Sequence, residues 1–276
     1  MKVRSIVGLS VTAWFLVLFL TEAKRPLRRN IEPKSRRLAK NMAIAGLTGL
    51  LLQCIEIPLT APLSRRVERK RLGLLNQVRM PFWARLVASI ALLDYTLYIW
   101  HVINHKIPAL WRFHVVHHID LDLDASTALR FHFGEMGISV FWRLMQIRLL
   151  GIAPIHLLAW QAFLMGCIMF HHSNVRLPFA FEKRLNHLLV TPRMHGIHHS
   201  VIEAQTNSNW SSGLTVWDKI HGTYRDFDEH SPVVIGVPAY RDKDEVSLVS
   251  MIKLPFEPQK STWEYTGELK KVDYEA

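Results

Sequence analysis

Three histidine groups recur along the 276-residue chain: His101-x-x-x-His105, His114-x-x-His117-His118 and His195-x-x-His198-His199. On a helix an i, i+4 pair shares one face, and an i, i+3, i+4 set arrays three imidazoles within reach of an ion. Neutral imidazole ligates Zn, Fe, Cu and Ni. Thirteen of the fifteen histidines fall between His101 and His199. One His-x-x-x-His pair often arises by chance; three boxes in one chain do not. Eight histidines exceed the four ligands of zinc or the six of octahedral iron, so two metals fit better than one. Other metal-enzyme patterns are missing. There is no His-Glu-x-x-His, no Glu-x-x-His and no cysteine pair, since Cys54 and Cys167 stand apart in apolar runs. An all-nitrogen dinuclear site remains.

Apolar segments must position these boxes. Ser5 to Thr21 is uncharged, with Lys2 and Arg4 before it and Glu22-Ala23-Lys24-Arg25 after it. That flank suits an uncleaved anchor better than a signal peptide. Asn41 to Ile55 is charge-free and continues past Glu56 to Leu63, and Pro81 to Trp100 is apolar except for Arg85 and Asp94. Leu149 to Phe170 has 22 residues without Asp, Glu, Lys or Arg, enough to span a bilayer. Phe133 to Ile147 carries Glu135 and Arg143, and Gly151 and Pro154 then punctuate the chain, so 133–170 is expected to form a helical hairpin. His101 and His105 close the third segment, His132 opens the hairpin, and His171 and His172 close it. All the boxes can therefore share one membrane face. The expected fold is an all-α integral membrane protein, with about four transmembrane helices including that hairpin and a cytoplasmic histidine-rich helical cap. Residues 1–80 are expected to supply membrane anchor segments with basic loops, 81–225 the catalytic domain, and 226–276 a polar cytoplasmic tail.

A formal charge of +11 and 49% hydrophobic residues exclude a disordered chain. The basic residues bunch beside apolar runs, which favours membrane flanks over nucleic acid. Lys24 to Lys40 holds one bunch and Arg65 to Arg71 another, whereas the stretch after Asp226 is acidic. A cytoplasmic 24–40 loop carries His101 to the cytoplasm and leaves the basic 64–79 loop outside, unless the second segment is re-entrant or interfacial.

The order Asp94-Tyr95, His101-Val-Ile-Asn-His105, Leu110-Trp-Arg-Phe-His114-Val-Val-His117-His118 and Thr127-Ala-Leu-Arg-Phe-His132 resembles the sterol desaturase/fatty acid hydroxylase superfamily. His172-Ser-Asn174, Thr191-Pro-Arg-Met-His195-Gly-Ile-His198-His199-Ser200, Asn209-Trp210 and Trp217-Asp-Lys-Ile-His221-Gly-Thr223 continue the match, over about residues 86–224. The departures are Val102 for the usual Arg, Trp210-Ser211 for Tyr-Gly, and His221 for Phe. They bear on substrate more than on metal.

The resemblance implies a membrane-bound non-haem di-iron oxygenase with two Fe ions and O2 as co-substrate. It hydroxylates or desaturates a lipid C–H bond, with electrons from a separate cytochrome b5-, ferredoxin- or reductase-like donor. Carried over residue by residue, the metal ligands are His101, His105, His114, His117, His118, His172, His195, His198 and His199, with His171 one residue out of phase. Of the other histidines, His156 reads as packed or interfacial, His132 and His187 as possible supports facing the site, and His221 and His230 as ordinary. Asp94 is expected to orient a ligand imidazole or to pair with Arg85. Two other classes compete: a membrane metal-binding or transport protein, which would need ligands within the spans, and a zinc-dependent lipid hydrolase, which would need a Glu base beside the boxes.

Overall fold

A computed structural model describes residues 2–229 and 233–264. Four stretches are long and apolar enough to cross a membrane: Ser5–Lys24, Lys34–Asn76, Phe82–Lys106 and Pro154–His172. The protein is an all-helical, multi-pass membrane protein, and the described residues contain no strand beyond isolated bridges.

Helix α1 (Lys2–Lys24) has 23 residues, a rise of about 34 Å, against a hydrocarbon core of about 30 Å. Leu9, Val17 and Leu20 stay exposed on a lipid-facing side, while Leu18 is buried with Met169. Trp14 Nε1 donates to the Gly166 carbonyl at 3.0 Å, so α1 is built into the bundle. Helix α2 (Lys34–Leu51) continues through a π-helical turn, Leu52–Glu56, into α3 (Ile57–Arg69). Pro58 accounts for the widened turn: its ring clashes with the carbonyl four residues back and it has no N–H to donate. The path does not re-enter. It runs from the histidine end, where Thr48 Oγ1 donates to Phe131 O, to the opposite end, where Asn76 Nδ2 donates to Gly151 O at 2.9 Å. The Arg65–Arg71 run therefore lies at the end remote from the boxes.

Helix α4 (Phe82–Lys106) returns to the histidine end, and Pro108 opens α5 (Pro108–His118) after extended Ile107. Helices α6 (Phe133–Leu150) and α7 (Pro154–His172) form the hairpin. The apolar run expected to begin a span at Leu149 is interrupted: Leu149 and Leu150 complete α6, and Gly151 ends it at φ +83. Only glycine fits this turn, because a Cβ would lie 2.6 Å from Asn76 Nδ2 and 2.7 Å from Leu72 O.

Short helices α8 (Phe179–Leu185), α9 (Pro192–His198), α10 (Glu203–Thr206), α11 (Val216–Ile220) and α12 (Leu248–Lys253) cover the histidine end. Within the stretch expected to be a polar tail, Val237, Tyr240, Val246 and Met251 are buried against Ile44, Val116 and Ile119.

A polar knot ties α2 to the loop after α5. Arg37, read from sequence as a membrane-flanking charge, is fully buried. Its Nε and Nη2 donate to Asp120 at 3.0 and 2.9 Å, and its Nη1 to Asp124 at 2.7 Å. Nη2 also reaches Asp122 O and Thr127 Oγ1 at 3.0 Å. Burial alone would raise the Asp120 carboxyl, but Arg37 and Arg130 hold it well below the usual carboxylate range.

Candidate metal centre and lipid cavity

The nine histidines named from the sequence converge into two groups. His101, His105, His114, His118 and His198 form one, and His117, His172, His195 and His199 the other; in each, the nitrogens lie within 4.8 Å of one another. Helix phase explains the division. His114 and His118, one turn apart on α5, serve the first group while His117 turns to the second. In the third box the pattern inverts, with His195 and His199 in the second group and His198 in the first. The first box serves the first group alone, whereas the second and third boxes each serve both, which ties the two sites into one centre.

Hydrogen bonds at Nδ1 fix the tautomers. His101 Nδ1 faces Trp210 O at 2.7 Å, His198 Nδ1 faces Ser208 O at 2.8 Å, and His172 Nδ1 faces Ile168 O at 2.8 Å. His114 Nδ1 lies 2.9 Å from Glu135 Oε1. Carbonyl and carboxylate oxygens only accept, so each Nδ1 carries the proton and leaves the Nε2 lone pair as the ligating one. Those lone pairs face one another: His101 and His198 Nε2 are 3.1 Å apart, and His101 and His114 Nε2 are 3.2 Å apart. Two lone pairs cannot hydrogen-bond, whereas a cation satisfies both. In the second group, His172 Nε2 lies 3.0 Å from the Nε2 atoms of His117 and His195. Neighbouring nitrogens about 2.1 Å from one metal sit about 3.0–3.4 Å apart, so both groups fit a metal ion. Burial, then the neighbouring imidazoles, pushes His117, His118, His195 and His199 well below the ordinary histidine value, and burial brings His198 down to about 3. The rings are held neutral, the form that ligates.

Supporting residues sit one contact further out. Glu135 escaped notice as a partner, although an acidic residue in an apolar run three positions after His132 was the available signal. Asp218 accepts from the Trp210 and Ser211 amides at 3.0 and 2.9 Å, fixing the Trp210 carbonyl that orients His101. Asp94 neither orients an imidazole nor pairs with Arg85. It accepts from Leu214 N and Trp217 Nε1 at 2.9 and 2.7 Å, fastening that same loop, while Arg85 donates to Asn76 at 2.8 Å.

His132 does not face the site. Its Nδ1 accepts from Gly134 N as the cap of α6, and its Nε2 faces Ile252 O. His187 is exposed beside Lys219. His156 is buried at the hairpin-turn end, 3.3 Å from Ser89 Oγ. His221 stacks on Tyr95 and Tyr98, filling the aromatic's place in the motif. His230 lies outside the described residues.

His171 is buried, and its ring centroid lies 3.9 Å from that of His195, yet it is absent from both nitrogen groups. His172→Ala is expected to abolish lipid oxidation and lower bound iron, and His171→Ala to reduce oxidation by about 10–100-fold at most. Metal analysis and product assay at equal membrane expression compare them; the reverse ranking means that this box is read out of phase.

A cavity of about 460 Å³ opens from His101, His114, His117, His172 and His195 and runs between α2, α4, α6 and α7. Its walls are mainly apolar, with Leu97, Trp100, Phe131, Met136, Leu164 and Ile168 among them.

Residues 86–223 match the fatty acid hydroxylase family, to which this chain belongs. The chain is similar to the ornithine lipid hydroxylase OlsE of Rhizobium tropici, at 30% identity over 57% of this chain and 46% of that protein. It is also similar to cholesterol 25-hydroxylase of Homo sapiens, at 31% identity over 49% of this chain and 48% of that protein. Alkylglycerol monooxygenase of Homo sapiens is 28% identical over 62% of this chain and 36% of its own length. The matches span about half the length of the first two relatives or less. No solved structure matches the chain.

Proposed function

We propose that this protein is a membrane-bound di-iron oxygenase that hydroxylates or desaturates a C–H bond of a bilayer lipid, using O2 and two electrons from a separate donor. The observation that carries this reading is the junction of two all-nitrogen histidine groups with the head of an apolar, membrane-embedded cavity. His101, His105, His114, His118 and His198 would hold one iron, and His117, His172, His195 and His199 the other. Bound there, the iron pair would supply O2 activation and the oxidising power to take hydrogen from an unactivated C–H bond.

The chain's own residues do the rest. Glu135 and the Trp210, Ser208 and Ile168 carbonyls hold their imidazoles in the ligating tautomer. The apolar walls align an alkyl segment against the histidines and exclude water. The transport and hydrolase readings lack such support: the histidines gather at one end of the bundle, and Glu135 is engaged with His114. Iron-reconstituted protein in lipid membranes, given reductant and isotopic O2, is expected to place label in a hydroxylated lipid. Lipid hydrolysis without O2 consumption overturns the reading.

We also place the histidine end on the cytoplasmic face, where a soluble donor reaches it. Lys24, Arg25, Arg29 and Arg36 stay at the surface there. In a background lacking Cys54 and Cys167, Ser261→Cys is expected to label only after cell permeabilisation and Gln77→Cys in intact cells. The opposite pattern inverts the orientation.

A further inference from the structure

We propose that Glu56 and Arg143 recognise a neutral hydroxyl at the end of the lipid opposite the oxidised carbon. The inference rests on the cavity being the lipid site. Both residues line it, and Arg143 stands about two turns of α6 beyond Glu135, the partner of His114. Ionisable side chains inside a membrane bundle are costly and by default mark function. Glu56 ends the π-helical turn, a distortion often found at functional sites.

The pair is conspicuously incomplete. Arg143 lies over the Trp160 ring at 4.2 Å and its Nη1 donates to Gln146 at 2.5 Å, but its buried Nε has no hydrogen-bond partner among the described residues. The nearest Glu56 oxygen is 3.9 Å from that Nε, too far for a hydrogen bond. An oxygen sitting off this line reaches both at about 2.7–2.9 Å. A hydroxyl completes both bonds, donating to Glu56 and accepting from Arg143 Nε–H. A carboxylate meets Glu56 as a like charge, and an alkyl end leaves both groups unpaired.

Helix geometry sets the length. Arg143 follows Glu135, the partner of His114, by eight residues on α6, a rise of about 12 Å. Trp160 precedes His172 by twelve on α7, about 18 Å. The lipid this site selects carries its hydroxyl about 12–18 Å from the carbon presented to the histidines.

The test is binding, read apart from turnover. Trp100, Trp142 and Trp160 line the cavity, so quenching of their fluorescence in nanodisc-embedded protein reports occupancy. 1-Dodecanol is expected to bind about tenfold tighter than dodecane or dodecanoate, as hydrogen bonds to charged groups allow. Replacing a buried ion pair with apolar residues is often tolerated, so Glu56→Met with Arg143→Met is expected to fold and lose the preference. Glu56→Gln, which removes the charge and keeps one acceptor oxygen, is expected to narrow discrimination against dodecanoate. Equal binding of alcohol and alkane by the wild-type protein, as when water fills the gap, overturns the inference. So does a preference that survives both variants. Alcohol preference without lipid oxidation refutes only the proposed function; lipid oxidation without alcohol preference refutes only this inference.

Discussion

Alanine at position 117 is expected to remove lipid oxidation and about half of the bound iron. His117 Nε2 lies 3.0 Å from His172 Nε2, and its ring stacks on Phe131 at 4.4 Å with an interplanar angle of 13°. The second group has four imidazoles and no carboxylate, so no neighbouring anion replaces a lost ring. Loss of a supporting contact typically costs about 10–100-fold in metal affinity or activity; loss of a ligand exceeds that. His156→Ala is the control, because His156 packs at the opposite end of the bundle and touches neither group. Iron per chain after reconstitution, measured beside product formation, decides the matter. Full iron loading of His117→Ala would remove His117 from the ligand set. One iron per wild-type chain, persisting after reconstitution, would overturn the two-iron proposal.

Arg37→Ala is expected to be the most damaging single change outside the histidines. Truncation leaves Asp120 and Asp124 buried without their main cation, and breaking a buried ion pair from one side costs about 3–5 kcal/mol. For a chain of this size that corresponds to a fall of roughly 10 °C in Tm, measurable on detergent-solubilised protein. Arg37→Lys is expected to recover little, because a single ammonium cannot reproduce the forked contacts to both carboxylates. Arg37→Met combined with Asp120→Asn and Asp124→Asn is expected to recover most of the loss. If Arg37→Ala unfolds within 1 °C of wild type, the knot does not hold α2 to the loop.

The knot also shows why charge counting gave an ambiguous topology. Arg37 was counted with the 24–40 bunch, but it satisfies carboxylates more than eighty residues away and never meets a membrane surface. The Arg65–Arg71 run lies at the other end of the bundle, so basic residues flank both faces. Hydropathy sees neither fact, because both depend on how the α2–α3 path packs.

What the sequence by itself determined is local. Apolar runs of sufficient length specify spans, since backbone groups in lipid must pair within a helix. Gly151 and Pro154 mark the hairpin turn through their own backbone limits. The i, i+3, i+4 spacings place histidines at helix ends on one side, and all nine nominated ligands do converge. Tertiary structure decided which histidines meet, leaving the first box whole in one group and splitting the other two, because that depends on how α4, α5, α7 and α9 turn toward one another. It also brought Glu135 to His114, Asp218 to the loop that orients His101, and Glu56 within 3.9 Å of Arg143. The first and last join side chains 21 and 87 residues apart, and the Asp218 contact joins a side chain to the backbone of its own loop. No periodicity encodes them, because packing sets which faces meet, and the cost of leaving a polar group unpaired then selects the partner.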